Sequence, residues 1–273
     1  MFKIALNAGH GLYTAGKECW EELDPKKTKE WTLNNRICDK IESKLKEYTG
    51  YSLLRLDDTT GAVDVPLKTR TNKANAFKAD FYLSIHHNAG IKGGNGGGVI
   101  AIVYKKVDNV TLEWQEALYN AIIKKTGLRG NRANPLQKQN LHECRESAMP
   151  CVLLECGFMD SVTDVPIILS EDFAEKVASA CVEVLVKKGK LTKKTATIKA
   201  EVEVVKQEDN KYFKKYTGNT VSIVAALNAI GVTSTYAYRG KIAKKNGIKM
   251  YVGTANQNTT MLNLLKNGKL LKP

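Results

Sequence analysis

Residues 81–88 have the sequence Phe-Tyr-Leu-Ser-Ile-His-His-Asn. Most of the first five side chains are large and apolar, and the run ends in two adjacent histidines. Near-continuous apolar runs of this length are typical of strands that are buried on both faces of a parallel or mixed sheet. We therefore predict a buried strand over residues 81–86, with chemically active side chains where it ends.

Strand-like and helix-like segments alternate around this run. Further apolar runs predict strands over residues 2–8, 51–56, 98–104 and 151–156. The predicted helices are 29–48, Pro66 to about Lys78, Thr111 to Gly127, and Ser170 to about Lys188. Thr111 and Ser170 are the predicted N-caps, because short hydroxyl side chains accept hydrogen bonds from the first turn. This alternation predicts an α/β fold with a mostly parallel or mixed sheet flanked by helices.

The overall composition is that of an ordinary globular protein. The chain has 273 residues, of which 43% are hydrophobic and 26% charged, and this excludes a wholly disordered chain. No apolar run reaches the roughly 18 residues of a membrane helix, so we expect no membrane insertion. The first residues are too polar for a secretory leader. We therefore expect the protein to be made in the cytoplasm without a signal peptide.

Basic residues are concentrated near the C-terminus. The whole chain has a net charge of +14, from 42 Lys and Arg against 28 Asp and Glu. Residues 211–273, here called the basic segment, contain 11 Lys and Arg and no acidic residue. Such a segment is suited to a polyanionic partner. We predict a large domain over residues 1–190, a linker over 191–210, and the basic segment as a small separate module.

The basic segment contains a weak internal repeat at a constant offset of 35 positions. The matched pairs are Tyr216 and Tyr251, Gly218 and Gly253, Leu227 and Leu262, Asn228 and Asn263, and Ile230 and Leu265. The repeat predicts a duplicated helical unit. A module of this size is marginally stable alone, so a homodimer formed through it is one expectation.

Three of the four histidines lie next to predicted strand ends. His10 follows the first strand, and His86 and His87 close the third. In open α/β sheets the functional crevice lies outside the carboxyl ends of the strands, so His10 and His86 are expected to face one crevice. Glu155 lies near the end of another apolar strand, where an unpaired carboxylate is costly to bury. Glu155 is therefore either part of a buried ion pair or a functional carboxylate in the same crevice.

Two imidazoles and one carboxylate form a common catalytic zinc set that leaves one position for water. Glu155 and Glu30 are both candidates for that carboxylate, although a glutamate at a helix start, such as Glu30, also favours the helix dipole. A zinc nucleoside deaminase is set aside, because the chain contains no His-x-Glu and no Pro-Cys-x-x-Cys motif.

Several separated stretches resemble the zinc-dependent N-acetylmuramoyl-L-alanine amidases of the third amidase type. They are Asn7-Ala-Gly-His-Gly11, Glu30 with Asn34, Arg70 with Ala74-Asn75, Ala79-Asp80, Ser84-Ile-His-His-Asn-Ala89 and Val152-Leu-Leu-Glu-Cys-Gly-Phe-Met159. Their order and spacing match across roughly residues 1–188. The resemblance implies that His10, Glu30 and His86 bind Zn²⁺, that Glu155 is the catalytic carboxylate and that Asn88 contacts substrate. It also implies that the substrate is the amide between N-acetylmuramic acid and L-alanine in peptidoglycan.

The resemblance has departures that leave alternatives open. The family usually carries a glycine-rich stretch with an acidic residue soon after the first histidine, so Glu21 or Glu22 could replace Glu30 as ligand. His87 is expected on the opposite side of its strand from His86 and is not assigned as a ligand. His142 is expected in a loop.

The basic segment resembles the C-terminal module of clostridial and bacillar amidases and phage endolysins, in Tyr216-Thr-Gly-Asn-Thr220 and Ala226-Leu-Asn-Ala-Ile-Gly231. That implies binding to anionic Gram-positive wall polymers, and an enzyme that reaches the wall after release by a holin or by lysis. These features are the same in a phage endolysin and in a bacterial autolysin, so they do not distinguish a phage from a bacterial origin. The alternative is a basic nucleic-acid-binding protein with a structural metal site, in which tyrosines among lysines stack on bases; no nucleic acid is expected on the amidase interpretation.

Overall fold

A six-stranded sheet in the order β3-β1-β4-β7-β5-β6 occupies the centre of the N-terminal part. Its strands are β1 (Phe2–Ala8), β3 (Tyr51–Arg55), β4 (Phe81–Asn88), β5 (Val99–Tyr104), β6 (Leu136–Gln139) and β7 (Cys151–Phe158). Neighbouring strands are parallel except for β5 and β7, which are antiparallel. The structure is a computed structural model that describes residues 1–194 and 211–273. These residues fall into two compact units, one on each side of the gap.

Helices cover both faces of the sheet. The helices of this first unit are α1 (Glu30–Leu45), α2 (Leu67–Phe77), α3 (Asn109–Thr126), α4 (His142–Glu146), α5 (Val165–Ile168) and α6 (Glu171–Lys188). Helices α1, α3 and α6 pack on one face around a large core that contains Leu83 and Ile85. Helices α2 and α4 pack on the other face with Tyr82 and Leu153. The predicted α/β class with a mostly parallel, helix-flanked sheet is confirmed.

The predicted elements need only local corrections. Strands β4 and β7 continue two residues past the predicted ends at 86 and 156, because they go on pairing through a register shift to Asn88 and Phe158. Helix α3 begins before the predicted cap Thr111: the Asp108 side chain accepts a hydrogen bond from the Thr111 backbone N–H and is the N-cap. Ser170 is the N-cap of α6, as predicted.

The predicted linker is wrong at its start. Leu191 is buried in the core of the first unit, and the short strand β8 (Thr192–Lys193) pairs with β2 (Tyr48–Thr49). Residues 191–194 therefore belong to the first unit, because burying Leu191 and pairing β8 hold them there. The rest of the predicted linker, residues 195–210, lies outside the described residues.

The second described unit contains α7 (Ile223–Ala229), α8 (Tyr236–Lys245) and α9 (Ala255–Lys266) around its own small core. The repeated residues Leu227 and Leu262 lie in α7 and α9 and are both buried in that core. None of the helices in the described ranges has the length and hydropathy that a membrane span requires.

Candidate metal centre

The predicted crevice forms where β1, β4 and β7 end side by side. His10 follows β1 with a left-handed φ of 64°, a conformation that costs free energy for a non-glycine residue and marks a constrained site. The Arg70 guanidinium holds this turn, because it donates to the carbonyl oxygens of Ala8 at 2.8 Å and His10 at 3.2 Å. His86 lies near the end of β4, and its ring packs edge-on against that of His10, with centroids 5.1 Å apart.

Glu30 is the carboxylate that meets both histidines. It is the first residue of α1 and is only 1% exposed. Its Oε2 lies 3.3 Å from His10 Nε2 and its Oε1 lies 3.1 Å from His86 Nδ1. The ligand atoms of these three residues all lie within 4.8 Å of one another. The structure therefore brings together the three residues that the sequence suggested as metal ligands.

The charges around this cluster suit a cation. Burial alone would raise the pKa of Glu30, but His86, His10 and the backbone N–H of His87 lower it to about 2. Burial lowers the pKa of His10 to about 4. Burial would also lower the pKa of His86, but Glu143 and Glu30 raise it to about 10. The carboxylates of Glu30 and Glu143 thus favour a positive charge beside His86.

One atom of the cluster is left without a hydrogen bond. Glu30 Oε2 is fully buried and accepts no hydrogen bond within the described part of the chain. The Lys17 ammonium lies 3.9 Å from this oxygen and gives it only a distant charge partner. A buried carboxylate oxygen without a hydrogen bond is costly in a low-dielectric site, and a bound cation would offset that cost. Two imidazoles and a carboxylate are donors that zinc prefers, with room for a fourth ligand. The residues present therefore fit a zinc ion.

Glu155 faces the same crevice from β7, where its Cα pairs in register with that of His86. Burial raises its pKa to about 7, with Glu30 adding to the shift and with His86 and Lys17 opposing it. Its Oε2 is buried without a hydrogen-bond partner among the described residues. A carboxyl group with a pKa near neutrality can both accept and release a proton, which is the property of a general acid–base group.

Glu21 and Glu22, the alternatives to Glu30, are both exposed. Glu21 forms an ion pair with Lys27, at 3.1 Å between Oε2 and Nζ. Both glutamates line an open groove of about 500 Å³. Neither belongs to the described cluster that holds the two histidines.

The other histidines lie apart from the metal cluster. His87 is buried on the α1 side, where its Nδ1 lies 2.8 Å from Asn34 Oδ1, and it does not join the cluster. His142 was predicted in a loop, which is wrong: it begins α4, and its Nε2 lies 3.3 Å from Thr71 Oγ1. Asn88 is half-buried at the end of β4, and its Oδ1 accepts a hydrogen bond from the Ala89 backbone.

Sequence reasoning missed Glu143, which lies 3.5 Å from His86, between Oε2 and Nε2. It is 3% exposed in the short helix α4. No local pattern marks Glu143 in the stretch His-Glu-Cys-Arg-Glu, because a glutamate in a polar segment is usually solvated. Only the packing of α4 on the sheet places it beside β4.

The family described as N-acetylmuramoyl-L-alanine amidase matches residues 4–187. The chain belongs to this amidase family. This amidase is 29% identical to the N-acetylmuramoyl-L-alanine amidase CwlM of Bacillus licheniformis, over 88% of this chain and 86% of that protein. It is 28% identical to the endolysin of Bacillus phage SPP1, over 85% of this chain and 79% of the phage protein.

Solved structures show the same fold. The catalytic domain of CwlV from Bacillus (Paenibacillus) polymyxa matches with a TM-score of 0.60 at 24% identity, covering 69% of this amidase and 98% of that domain. An N-acetylmuramoyl-L-alanine amidase from Clostridium difficile 630 matches with a TM-score of 0.61 at 24% identity, covering 68% and 95% of the two chains.

The family identifies the chain as an enzyme that hydrolyses the amide between N-acetylmuramic acid and L-alanine in peptidoglycan. The alternative of a nucleic-acid-binding protein is not favoured, because the family match covers most of the chain.

Proposed function

We propose that this amidase works with a zinc ion held by His10, Glu30 and His86. The observation that carries the proposal is the convergence of their ligand atoms within 4.8 Å around a buried Glu30 oxygen that has no hydrogen-bond partner in the described residues. When bound, zinc would polarise the scissile carbonyl and lower the pKa of a water molecule towards ~7. The amidase fold brings these three residues together from two strand ends and a helix start.

We propose that Glu155 moves the proton. Support comes from its position in β7, three residues before the strand ends and in register with His86, on the crevice that would hold the amide. With a pKa of about 7, Glu155 takes the proton of the attacking water and then gives it to the departing amine of L-alanine. The C–N bond breaks, the lactyl carboxylate forms, and the free amine of the peptide leaves.

Asn88 is proposed to orient the substrate. It lies two residues beyond His86, at the end of the strand that borders the crevice. Its Oδ1 is engaged by the Ala89 N–H at 2.8 Å, which leaves the side-chain N–H groups to donate to a carbonyl of the muramyl peptide. A neutral donor in this position would hold the substrate without changing the charge around the metal ligands.

The basic segment is proposed to hold the enzyme on anionic polymers of the Gram-positive wall. Its 11 basic residues, with no acidic residue among them, create a positive field around a small helical unit. Attraction to a fixed polyanion keeps an enzyme on an insoluble substrate and weakens as salt screens exposed charges, over ~8 Å at physiological ionic strength. Homodimer formation through this unit stays a prediction, which sedimentation equilibrium of the full chain tests.

The biological role that fits these parts is lysis of the cell wall. We propose that the enzyme acts on the wall after release from the cytoplasm by a holin or by lysis. An endolysin of a Bacillus phage and wall amidases of bacteria are both among its relatives, so this proposal leaves phage and bacterial origin open.

Mass analysis of digested peptidoglycan tests the proposed chemistry. The expected products are intact glycan chains and peptides with a new free L-alanine amine. The metal is tested on the same sample: removal by a chelator should stop product formation, and added Zn²⁺ should restore it. Product formation that persists at full rate in metal-free protein would contradict the zinc proposal while leaving the amidase identity intact.

A further inference from the structure

Glu143 is a buried carboxylate that the proposed reaction does not use. It accepts hydrogen bonds from Asn7 Nδ2 at 2.9 Å, from Ser84 Oγ at 3.1 Å and from the Tyr82 hydroxyl. These donors lie on β1 and β4, so hydrogen bonds join α4 to the strand that precedes His10 and to the strand that contains His86. All three donors are neutral, and a neutral acceptor would satisfy them without the cost of a buried charge.

His86 lies beside that charge, and the buried Arg70 guanidinium attracts it from further away. Its Nε2 is buried, has no hydrogen-bond partner in the described residues, and lies 3.5 Å from Glu143 Oε2. Its other ring nitrogen, Nδ1, lies 3.1 Å from Glu30 Oε1. The His86 imidazole is therefore placed between two buried carboxylates, one beside each nitrogen.

The two carboxylates are not equivalent. Glu30 belongs to the cluster whose ligand atoms converge with those of His10 and His86, whereas Glu143 does not. A neutral imidazole carries its proton on one nitrogen only, and the partner of that nitrogen decides which one remains to bind a metal. Without a metal, Glu30 competes for the proton, because its Oε1 lies 3.1 Å from Nδ1. Once a metal takes the charge of Glu30, the Glu143 carboxylate beside Nε2 favours the proton there and leaves the Nδ1 lone pair for the metal.

We propose that Glu143 is a positioning residue that holds His86 as the Nε2–H tautomer and directs Nδ1 to the metal. This proposal rests on the proposed zinc site. Outer carboxylates of this kind fix the ring orientation of a ligating histidine and raise its basicity, and their loss typically lowers metal affinity by ~10- to 100-fold. Glu143 achieves this from a helix that supplies no metal ligand of its own.

The test compares two full-length variants that disturb the same hydrogen-bond network. Glu143→Gln keeps the shape and removes the charge beside His86. Tyr82→Phe, the matched control, removes one of the donors to Glu143 and leaves that charge in place. The zinc dissociation constant of each is measured by competition with a fluorescent zinc chelator, with thermal unfolding of the zinc-free proteins recorded in parallel.

Glu143→Gln should weaken zinc binding at least ~10-fold, while Tyr82→Phe should bind zinc like the unaltered protein even where its unfolding temperature falls. Unchanged zinc affinity in Glu143→Gln, or an equal loss in both variants, overturns the positioning role. Failure of the unaltered protein to bind zinc would instead overturn the proposed metal centre together with it.

A second measurement needs no variant. In ¹⁵N-labelled, zinc-loaded protein, the His86 ring should show a protonated Nε2 and a metal-shifted Nδ1. A His86 ring protonated at Nδ1 would overturn the proposal even where zinc binds tightly and the enzyme is active.

Discussion

Gly9 lies so close to His86 that a Cβ atom at residue 9 would be 2.1 Å from Cε1 of the histidine ring. A contact that short cannot exist, so any side chain at residue 9 must push the ring away or shift the end of β1. The absence of a side chain at Gly9 therefore leaves the space that the His86 ring occupies.

Gly9→Ala should therefore weaken zinc binding. The added methyl group displaces the His86 ring from Glu30, and positioning errors of this kind are costly at sites that need fixed geometry. Zinc titration of the variant measures the loss. Gly240→Ala is the control, because the nearest atom to its added Cβ is 3.8 Å away, and it should leave zinc affinity unchanged.

Glu30→Gln should release most of the bound metal, because it removes the anionic ligand from a buried set of two imidazoles and a carboxylate. Glu22→Gln is the matched control: the residue is an exposed glutamate that lines the nearby groove. Metal content after dialysis separates the two variants. Should Glu22→Gln lose the zinc and Glu30→Gln keep it, the ligand assignment is wrong.

Glu155→Gln should keep its zinc and lose at least ~10²-fold in turnover, the usual contribution of a general acid–base group. The substitution preserves the shape of the side chain and removes its capacity to take a proton. Release of free L-alanine amines from peptidoglycan gives the rate, and metal analysis of the same sample gives the occupancy. Near-normal turnover with zinc bound would show that another group moves the proton.

The stability of the zinc-free protein should depend on pH through Glu155. Burial raises the pKa of Glu155 from 4.5 to about 7, so between these values the folded state keeps a proton that the unfolded chain has released. The contribution of Glu155 to the free energy of unfolding is fully present below pH 4.5 and is lost as the pH rises through 7. Denaturant unfolding measures the free energy of unfolding of the unaltered protein and of Glu155→Gln. The difference between the two should decrease as the pH rises from 4.5 through 7. A difference that does not change with pH would mean that the pKa of Glu155 is not raised.

Retention on cell walls should depend on the basic segment and on salt. Neutralising three of its exposed lysines should lower the fraction that sediments with intact walls, and rising salt should lower it further, because exposed charges act only within a Debye length. The substitutions to Gln are made at Lys241, Lys244 and Lys249. The control neutralises three exposed lysines of the first unit, Lys68, Lys73 and Lys187. Equal losses in both triple variants would remove the specific binding role of the basic segment.

The sequence was sufficient for the elements whose cause is local. Apolar runs predicted the strands around His10, His86 and Glu155, and Ser170 predicted the start of α6. The predicted N-cap of α3, Thr111, was wrong because Asp and Thr are both good N-cap residues. Only the observed hydrogen bond to the Asp108 side chain distinguishes Asp108 from Thr111.

The surroundings of the site could not be predicted in this way. Glu143 and Arg70 are charged residues on helices, and most such residues face water. They are buried because α2 and α4 pack on the sheet face next to β1 and β4, which depends on contacts between distant parts of the chain. The pairing of Glu143 with His86 is likewise invisible in any short window of sequence.

The parallel pairing of β1, β4 and β7 also determines when the enzyme can become active. The strands that carry His10, His86 and Glu155 are far apart along the chain, and parallel pairing closes long loops before it gains contacts. Because β7 is the last of the three to be synthesised, a nascent chain that ends before residue 151 has no complete reaction centre. An enzyme that hydrolyses peptidoglycan is thus inert until more than half of its own chain has been synthesised.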